Sequence, residues 1–418
     1  MYYTRTIEKV IKEIKEQYCI ISIYGARQVG KSTMVNHIFN NFNSVSLDNL
    51  EELLLAKSNP KLFLEKHAYP LIIDEIQKAP ELLSEIKIIV DKYKYNCLEN
   101  NKQIELLYVL TGSNQFELQK GISESLAGRT AILNLSSFSK NEFLQIDTVS
   151  EFIPNIELLK TKKFDVEKLY RNRYQIFDDI FLGGMPDYVI NNLNRDTFFN
   201  SYIQTYIEKD IKKVIAVNRE REFLQLLEYL AFRTGQQINF IDASRTLGID
   251  YRTVKEWMSI LISSGIIILL PPFSNNISSR LTKTPKLYFL DTGLCSFLCK
   301  WPNSTSLEKG SMSGAFYETY IVSEIIKSFY NVGKRYDLNI CYYRDKDNRE
   351  VDLIFEYSDY IIPVEIKKGI NPVSSTYNFS FLNKFNKEVK TGIILDSRKD
   401  LFPVNNNVWY CPIYMIGI

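Results

Sequence analysis

The sequence predicts an α/β protein, with a doubly wound parallel sheet first and smaller modules after it. Three observations carry this reading. Short, continuous apolar runs alternate with helical segments between residues 19 and 136. A glycine-bearing loop, GARQVGKST at 25–33, joins the first run to a helical segment. Near the C-terminus, NREVDLIFEYSDYIIPVEIKKG (348–369) alternates charged and apolar residues like two half-buried strands.

The elements follow in order. Residues 5–18 read as an amphipathic helix. CIISIY (19–24) is an apolar run of strand length, and SVSLD (44–48), PLIIDE (70–75), LLYVLTGS (106–113) and AILNLS (131–136) repeat it. Runs apolar on both faces belong to sheets covered by helices on both sides. From about residue 140 to 220 the pattern turns helical and aromatic, broken by LGGMPDY at 182–188. Residues 222–264 read as helix, turn, helix, and IIILL and KLYFLD follow as strands. Residues 311–330 form one helix, and the remainder alternates strands with short loops. The expected domains are 1–140, a helical lid at 141–216, a third module at 217–291, and a C-terminal domain at 292–418.

Composition narrows the class. A chain of 418 residues with 45% hydrophobic residues builds two to four domains with real cores. A net charge of +2 is not the footprint of a protein that coats nucleic acid nonspecifically, though it leaves room for a local basic groove. Six scattered cysteines without a CxxC pair, and only two histidines, argue against a Cys/His zinc site and for free thiols in a reducing cytosol. The charged N-terminus is no signal peptide. The longest apolar run, GIIILLPPF (265–273), is too short to span a bilayer. The expectation is a soluble, cytoplasmic protein with no membrane contact.

GARQVGKST fits GxxxxGK[ST] through Gly25, Gly30, Lys31 and Ser32, in the context of strand, loop and helix. Backbone N–H groups and the helix dipole favour phosphate there. Lys31 is assigned to the β/γ-phosphates and Ser32 to Mg²⁺. Gln28, Val29 and Thr33 complete the nucleotide-binding set. PLIIDE then puts Asp74 and Glu75 at a strand's carboxyl end, where such sheets bind ligands. Asp74 suits Mg²⁺, and Glu75 suits orientation of the attacking water. The next strand ends LTGSNQ, which makes Thr111, Ser113 and Asn114 candidates to touch the γ-phosphate or that water. Arg129 precedes the fifth strand. It is read either as an arginine reaching a neighbouring subunit's γ-phosphate or as a plain surface arginine.

Together these residues resemble an AAA+-type ATPase. GARQVGKS stands as Walker A, LIIDE as Walker B, YVLTGSN as the sensor strand and Arg129 as the arginine finger. GGMP at 183–186 resembles a GxP lid motif, which implies Gly184 and Pro186 near the adenine. The whole chain resembles one family of prokaryotic ATPases, carried by GARQVGKST, TGS…SLAGR, GGMP, YFLDTGL and EVD…VEIKKG in order. The resemblance implies a P-loop AAA+-type sheet with a helical lid, a winged helix, and a C-terminal α/β domain with a restriction-endonuclease-like fold. ATP and Mg²⁺ are the implied cofactors.

The last two modules are read from their residues as well. IDASRTLGIDYRTVKEWMSILISSG has helix-turn-helix spacing, with Gly248 at the turn, Thr253, Lys255 and Glu256 outward, and Leu261 and Ile262 inward. Six basic against four acidic residues over 241–291 is a weak charge for a DNA reader, so a protein or interdomain contact fits as well. In the C-terminal module Glu350 and Asp352 share one strand face, and Glu365 and Lys367 another. Matched, they bring Asp352, Glu365 and Lys367 together, with Glu318 on the preceding helix as a third carboxylate. This is the E…D…ExK pattern of a metal-dependent nuclease, in which Glu318, Asp352 and Glu365 hold the cation and Lys367 steadies its water. The plainer reading is a wet sheet face with cross-strand pairs of Glu350 and Glu365 against Lys367 and Lys368. Two functions result. One is an ATPase driving DNA cleavage. The other is a nucleotide-dependent switch whose silent modules bind DNA or a protein partner. An ATP-dependent homo-oligomer accompanies either.

Overall fold

The computed structural model describes residues 2–113, 126–147, 150–162, 165–206, 219–274, 283–370 and 377–417. Strands β1 (Ile20–Tyr24), β2 (Asn43–Ser46), β3 (Leu71–Asp74), β4 (Tyr108–Gly112) and β5 (Thr130–Asn134) form one sheet in the order β2-β3-β4-β1-β5. Every pairing in it is parallel. Side chains alternate between two apolar cores. Ile21, Ile23 and Val109 enter one, and Ile20, Tyr24, Tyr108 and Leu110 enter the other. That is why the runs read as continuously apolar. The first helix is shorter than its periodicity suggests and spans Ile7–Ile14.

Arg5, just ahead of that helix, ties the sheet's loops together. It is 3% exposed. Its Nε donates to Glu142 Oε1 at 2.9 Å, its Nη1 to the Val29 carbonyl at 2.8 Å and its Nη2 to the Ser136 carbonyl at 2.8 Å. Burial pushes the Glu142 carboxyl up, but the charge and hydrogen bonds of Arg5 outweigh it and hold it below its ordinary value.

After the sheet come the helices Arg173–Leu182, Pro186–Asn191 and Arg195–Tyr206. The helices Thr292–Leu298 and Ser304–Lys309 return to pack on the first of these. Between them lies a module of helix Glu220–Phe232, β6 (Gln236–Gln237), helices Phe240–Leu247 and Tyr251–Ser263, β7 (Ile267–Leu270) and β8 (Lys286–Phe289). Its sheet runs β6-β8-β7, antiparallel throughout. Gly248 joins the two short-spaced helices at φ 67°, a left-handed conformation suited to glycine. Leu261 is buried as expected, but Ile262 is 37% exposed. Consecutive helical positions face different directions, so the core takes only one of the pair.

The C-terminal sheet holds β9 (Ile340–Arg344), β10 (Glu350–Glu356), β11 (Tyr360–Ile366), β12 (Glu388–Val389), β13 (Gly392–Asp396), β14 (Phe402–Asn405) and β15 (Val408–Pro412). Its order is β14-β15-β13-β11-β10-β9, with β12 beside β11. β9, β10 and β11 are antiparallel, while β11, β13 and β15 run parallel. The expected wet face is absent from β10 and β11, whose interiors are buried on both sides. Leu353 and Phe355 enter the large core, and Val351 and Ile354 a second one. A strict period of two would pair Val351 with Leu353. The register of β10 against β9 slips between Val351 and Ile354, a bulge that places Asp352 and Leu353 opposite Tyr342 alone.

The helix Ser313–Asn331 runs through the middle of the molecule. No residue from Ala315 to Asn331 is exposed. Its Thr319 hydroxyl meets that of Thr234 at 2.8 Å, Lys327 Nζ donates to the Phe138 carbonyl at 3.0 Å, and Glu324 accepts from Lys140 N at 2.7 Å.

Breaking a buried ion pair from one side strands the other charge, at about 3–5 kcal/mol. Arg5→Ala should therefore destabilise the protein by about that much in denaturant melts, because Glu142 is 1% exposed. Since the folded carboxyl titrates lower than the free one, its contribution is present above the ordinary Glu range and fades as pH falls through the folded value. A loss below about 1 kcal/mol would show that water replaces the arginine at this seam.

Candidate functional sites

The loop from Gly25 to Gly30 leaves β1 and enters the helix Lys31–Ile38. Gln28 at φ 59° and Gly30 at φ 90° turn backbone N–H groups inward, the concave arrangement that binds anions. Lys31 Nζ donates to the carbonyls of Gly25 at 2.9 Å and Ala26 at 2.8 Å, which draws the loop's start toward the helix. Ser32 Oγ donates to Asp74 Oδ2 at 2.9 Å, and the Thr111 hydroxyl donates to the other oxygen of Asp74. Ser113 Oγ donates to Glu75 Oε2 at 3.2 Å, and the Gln77 amide bonds the same oxygen. Parallel register causes this convergence, because β1, β3 and β4 end at one edge.

A pocket of about 330 Å³ lies there, lined by Gln28, Gly30, Lys31, Ser32, Thr33 and Glu75 together with Arg27, Tyr202 and Thr205. Tyr202 and Thr205 come from the helix Arg195–Tyr206, and the sequence reading did not assign them. Their spacing of three puts both on one helical face, which was the available signal. Gly25 and Val29 line a different cavity of about 670 Å³, shared with Met185, Lys255, Met258 and Gly265. Met185 lines this cavity, whereas Pro186 is buried at the first turn of its helix. The glycines before it serve packing: Gly184 N donates to Asp291 at 2.9 Å, and its carbonyl accepts from Phe138 N at 2.8 Å. The oxygens of Ser32 and Asp74 suit Mg²⁺, a hard cation.

Arg129 does not reach this pocket. Thr130 pairs with Ile20, so Arg129 sits at the opposite edge of the sheet from the loop. It grips Asp91 through Nε at 2.6 Å and Nη2 at 3.0 Å. Asn114 lies outside the described residues.

The C-terminal residues do converge. Ile366 N donates to Asp352 Oδ2 at 2.8 Å, and the β10–β11 register, carried one step further, sets Asp352 opposite Glu365. Lys367 Nζ donates to Glu365 Oε1 at 2.5 Å along the same strand, whereas Lys368 turns away to Ser313 Oγ at 2.8 Å. Asp352 is 9% exposed and Glu365 is 7% exposed. One feature corrects the expected site. Lys286, from β8 of the preceding module, stands among the carboxylates. Its Nζ is 2.9 Å from Glu318 Oε1, 3.6 Å from Asp352 Oδ1, and paired with Glu350 as well. Tyr288, two residues along β8, donates to Glu318 Oε1 at 2.6 Å. In the sequence Lys286 is one of the six basic residues of 241–291, and nothing local ties it to residues so far along the chain.

The electrostatics follow from burial. Burial and then the Asp352 charge push Glu318 and Glu365 each up to about 7. Burial likewise raises Asp352. For Lys286 burial disfavours the charge, but Glu318, Asp352 and Glu350 outweigh it and hold the ammonium firmly protonated. The donor set suits a hard divalent cation, and the Tyr377 hydroxyl lies beside Glu365, raised by burial and then by that carboxylate. As arranged, though, no three Asp, Glu, His or Cys side chains among the described residues stand close enough to hold a metal ion. Glu318 and Asp352 are spaced around the ammonium instead.

Comparison with known proteins assigns the segments. Residues 17–144 match an AAA domain. Residues 173–305 and 313–416 match two domains of unknown function, DUF8612 and DUF4143. Uncharacterized proteins of Mycobacterium bovis and Mycobacterium tuberculosis are each 23% identical over 360 residues, 84% of this chain and 71% of theirs. Among solved structures, a Walker-type ATPase of Pyrococcus abyssi aligns at 16% identity and TM-score 0.42, over 71% of this chain and 96% of that one. A DNA replication initiation factor aligns at 14% identity and TM-score 0.22, over 60% and 84%. The AAA match over the segment that carries the phosphate loop supports ATP binding and hydrolysis. No helix among the described residues is long and apolar enough to cross a membrane.

The loop's geometry is testable at Gly25. A Cβ there would lie 1.8 Å from the Leu135 carbonyl oxygen, which is backbone and cannot swing aside. Gly25→Ala should shift the loop and weaken nucleotide binding by roughly tenfold or more, since misplacement by about 1 Å is costly at such sites. Fluorescent-nucleotide titration reads this, and wild-type affinity would mean that the loop's seat on Leu135 is not needed.

Proposed function

We propose that this chain is an Mg²⁺-dependent ATPase coupled to a C-terminal carboxylate–lysine site of nuclease type. The hydrogen bond from Ser32 to Asp74 beside Lys31 carries the first half, because it joins the two motifs at one pocket. In this reading Lys31 and the loop amides hold the β/γ-phosphates. Glu75, oriented by Ser113 and Gln77, accepts the hydrogen bond of the attacking water. Tyr202 and Thr205 close the pocket. Ser32 and Asp74 hold Mg²⁺, which when bound neutralises phosphate charge.

The middle module is inferred to be a winged helix. Its order of helix, strand, two helices and a two-stranded hairpin supports this, as does the left-handed Gly248 at the turn. The C-terminal module is inferred to be restriction-endonuclease-like, supported by the convergence of Asp352, Glu365 and Lys367 on one face beside Glu318. Bound among these carboxylates, a divalent cation would supply an acidified water for phosphodiester hydrolysis. The second reading is a switch whose C-terminal module only binds DNA or a protein partner. Lys286 favours it, because its ammonium already occupies the centre of the site.

Three measurements decide. Lys31→Ala should abolish nucleotide binding, and Glu75→Gln should keep binding while turnover drops ~10²–10³-fold. Full activity in Lys31→Ala would sink the ATPase reading. If Arg129 releases Asp91 to serve a neighbour's nucleotide, specific ATPase activity rises with protein concentration and Arg129→Ala removes the rise. A constant rate across concentrations leaves Arg129 as a surface partner of Asp91. Plasmid and single-stranded DNA incubated with Mn²⁺, with and without ATP, test cleavage. Nicking lost in both Asp352→Ala and Lys367→Ala supports the nuclease reading, and intact DNA in every arm supports the switch.

A further inference from the structure

We propose that Lys286 is an internal cation that keeps the C-terminal carboxylate site closed to divalent metal. The inference rests on reading that site as one built for a divalent cation.

Glu318, Glu350, Asp352 and Glu365 bring up to four negative charges into one region, and Lys286 and Lys367 return two positive ones. Arg344 approaches Glu350 only at 3.6 Å on the open rim. A doubly charged ion that takes oxygen ligands balances the charge more fully.

The carboxylates all belong to the C-terminal sheet and its helix, but the ammonium arrives from another module. Its module meets the sheet at Tyr342, Arg344 and Phe385, besides the ion pairs of Lys286 itself. Gln237 Nε2 donates to Tyr342 Oη at 2.7 Å, the Tyr342 hydroxyl donates to the Thr284 carbonyl, and Pro272 bridges to Tyr342. Tyr342 also stands opposite the bulge that aims Asp352. Lys286 is held by β8, between β6 and β7, whereas the carboxylates are held by the C-terminal sheet and its helix. The hairpin's module also borders the phosphate loop, since Lys255 and Gly265 line the cavity that Gly25 and Val29 line.

The test uses full-length, nucleotide-free protein stripped of metal and titrated calorimetrically with Mn²⁺ alone. Lys286→Met should bind Mn²⁺ roughly tenfold or more tighter than wild type, a usual scale for groups that control a metal site from beside it. Adding Asp352→Asn should erase the gain, and Lys286→Arg should behave as wild type. Mn²⁺ should raise the melting temperature of Lys286→Met and leave the wild type nearly unmoved. Equal, Asp352-dependent binding in wild type and Lys286→Met overturns the plug and leaves the metal site standing. Folded Lys286→Met that binds no Mn²⁺ overturns the metal-site reading and the plug with it. Lys286→Gln, which keeps a donor for Glu318, repeats the test if the methionine variant does not fold. If neither folds without metal, recovery of native circular dichroism with Mn²⁺ supports the plug, and no recovery overturns it.

Discussion

A helix buried around most of its circumference takes its charged groups out of water, and Ser313–Asn331 draws partners for them from the whole molecule. In low dielectric an unmatched charge is far costlier than an unmatched amide. Lys327 is answered by the Phe138 carbonyl at the end of the N-terminal domain, Glu324 by the Lys140 amide and Thr319 by Thr234 of the middle module. Glu318 is answered by Lys286 and Tyr288 of the hairpin. One element thus fixes the relative placement of every module. The apolar core is correspondingly continuous, with residues of the first sheet, the middle module and the C-terminal sheet in one cluster.

The two candidate sites use that scaffold differently. At the phosphate loop the geometry comes from the ends of parallel strands, so the parts lie close in the sheet and the helix Arg195–Tyr206 is laid across them. At the C-terminal site it comes from antiparallel pairing, a bulge and a lysine brought from outside. The first site is open at a pocket. The second is filled by a side chain that another module owns. A molecule arranged so can report the state of one site at the other only through elements that touch both, and the residues around Gly265 and β8 meet that condition.

Arg5 and Arg129 show how little a residue's type says about its work. Arg5 was unremarked in the sequence, and it is buried against Glu142 with the carbonyls of Val29 and Ser136 on its fork. Arg129 stood out by position, and it lies at the far edge of the sheet in a part-exposed pair with Asp91. Exposed pairs of that kind contribute little to stability, about 0–1 kcal/mol. The difference lies in desolvation, which neighbouring letters do not report.

The sequence by itself determined what depends on local chemistry. Apolar runs with a period set by the backbone gave the five-stranded parallel sheet, and glycine spacing between strand and helix gave the phosphate loop with Lys31, Ser32 and Asp74. Two-residue alternation put Asp352, Glu365 and Lys367 on matching faces. Tertiary structure alone decided what depends on contacts between distant segments. It buried both faces of β10 and β11, since the helices and loops that cover a sheet leave no mark in its own alternation. It placed the bulge at Asp352, because a register slip of one residue costs nothing in composition. It brought Tyr202 and Thr205 over the phosphate pocket. Above all it seated Lys286 among Glu318, Glu350 and Asp352, from 32 to 66 positions away along the chain, because a buried cluster of carboxylates must draw a cation from whatever element the packing brings within reach.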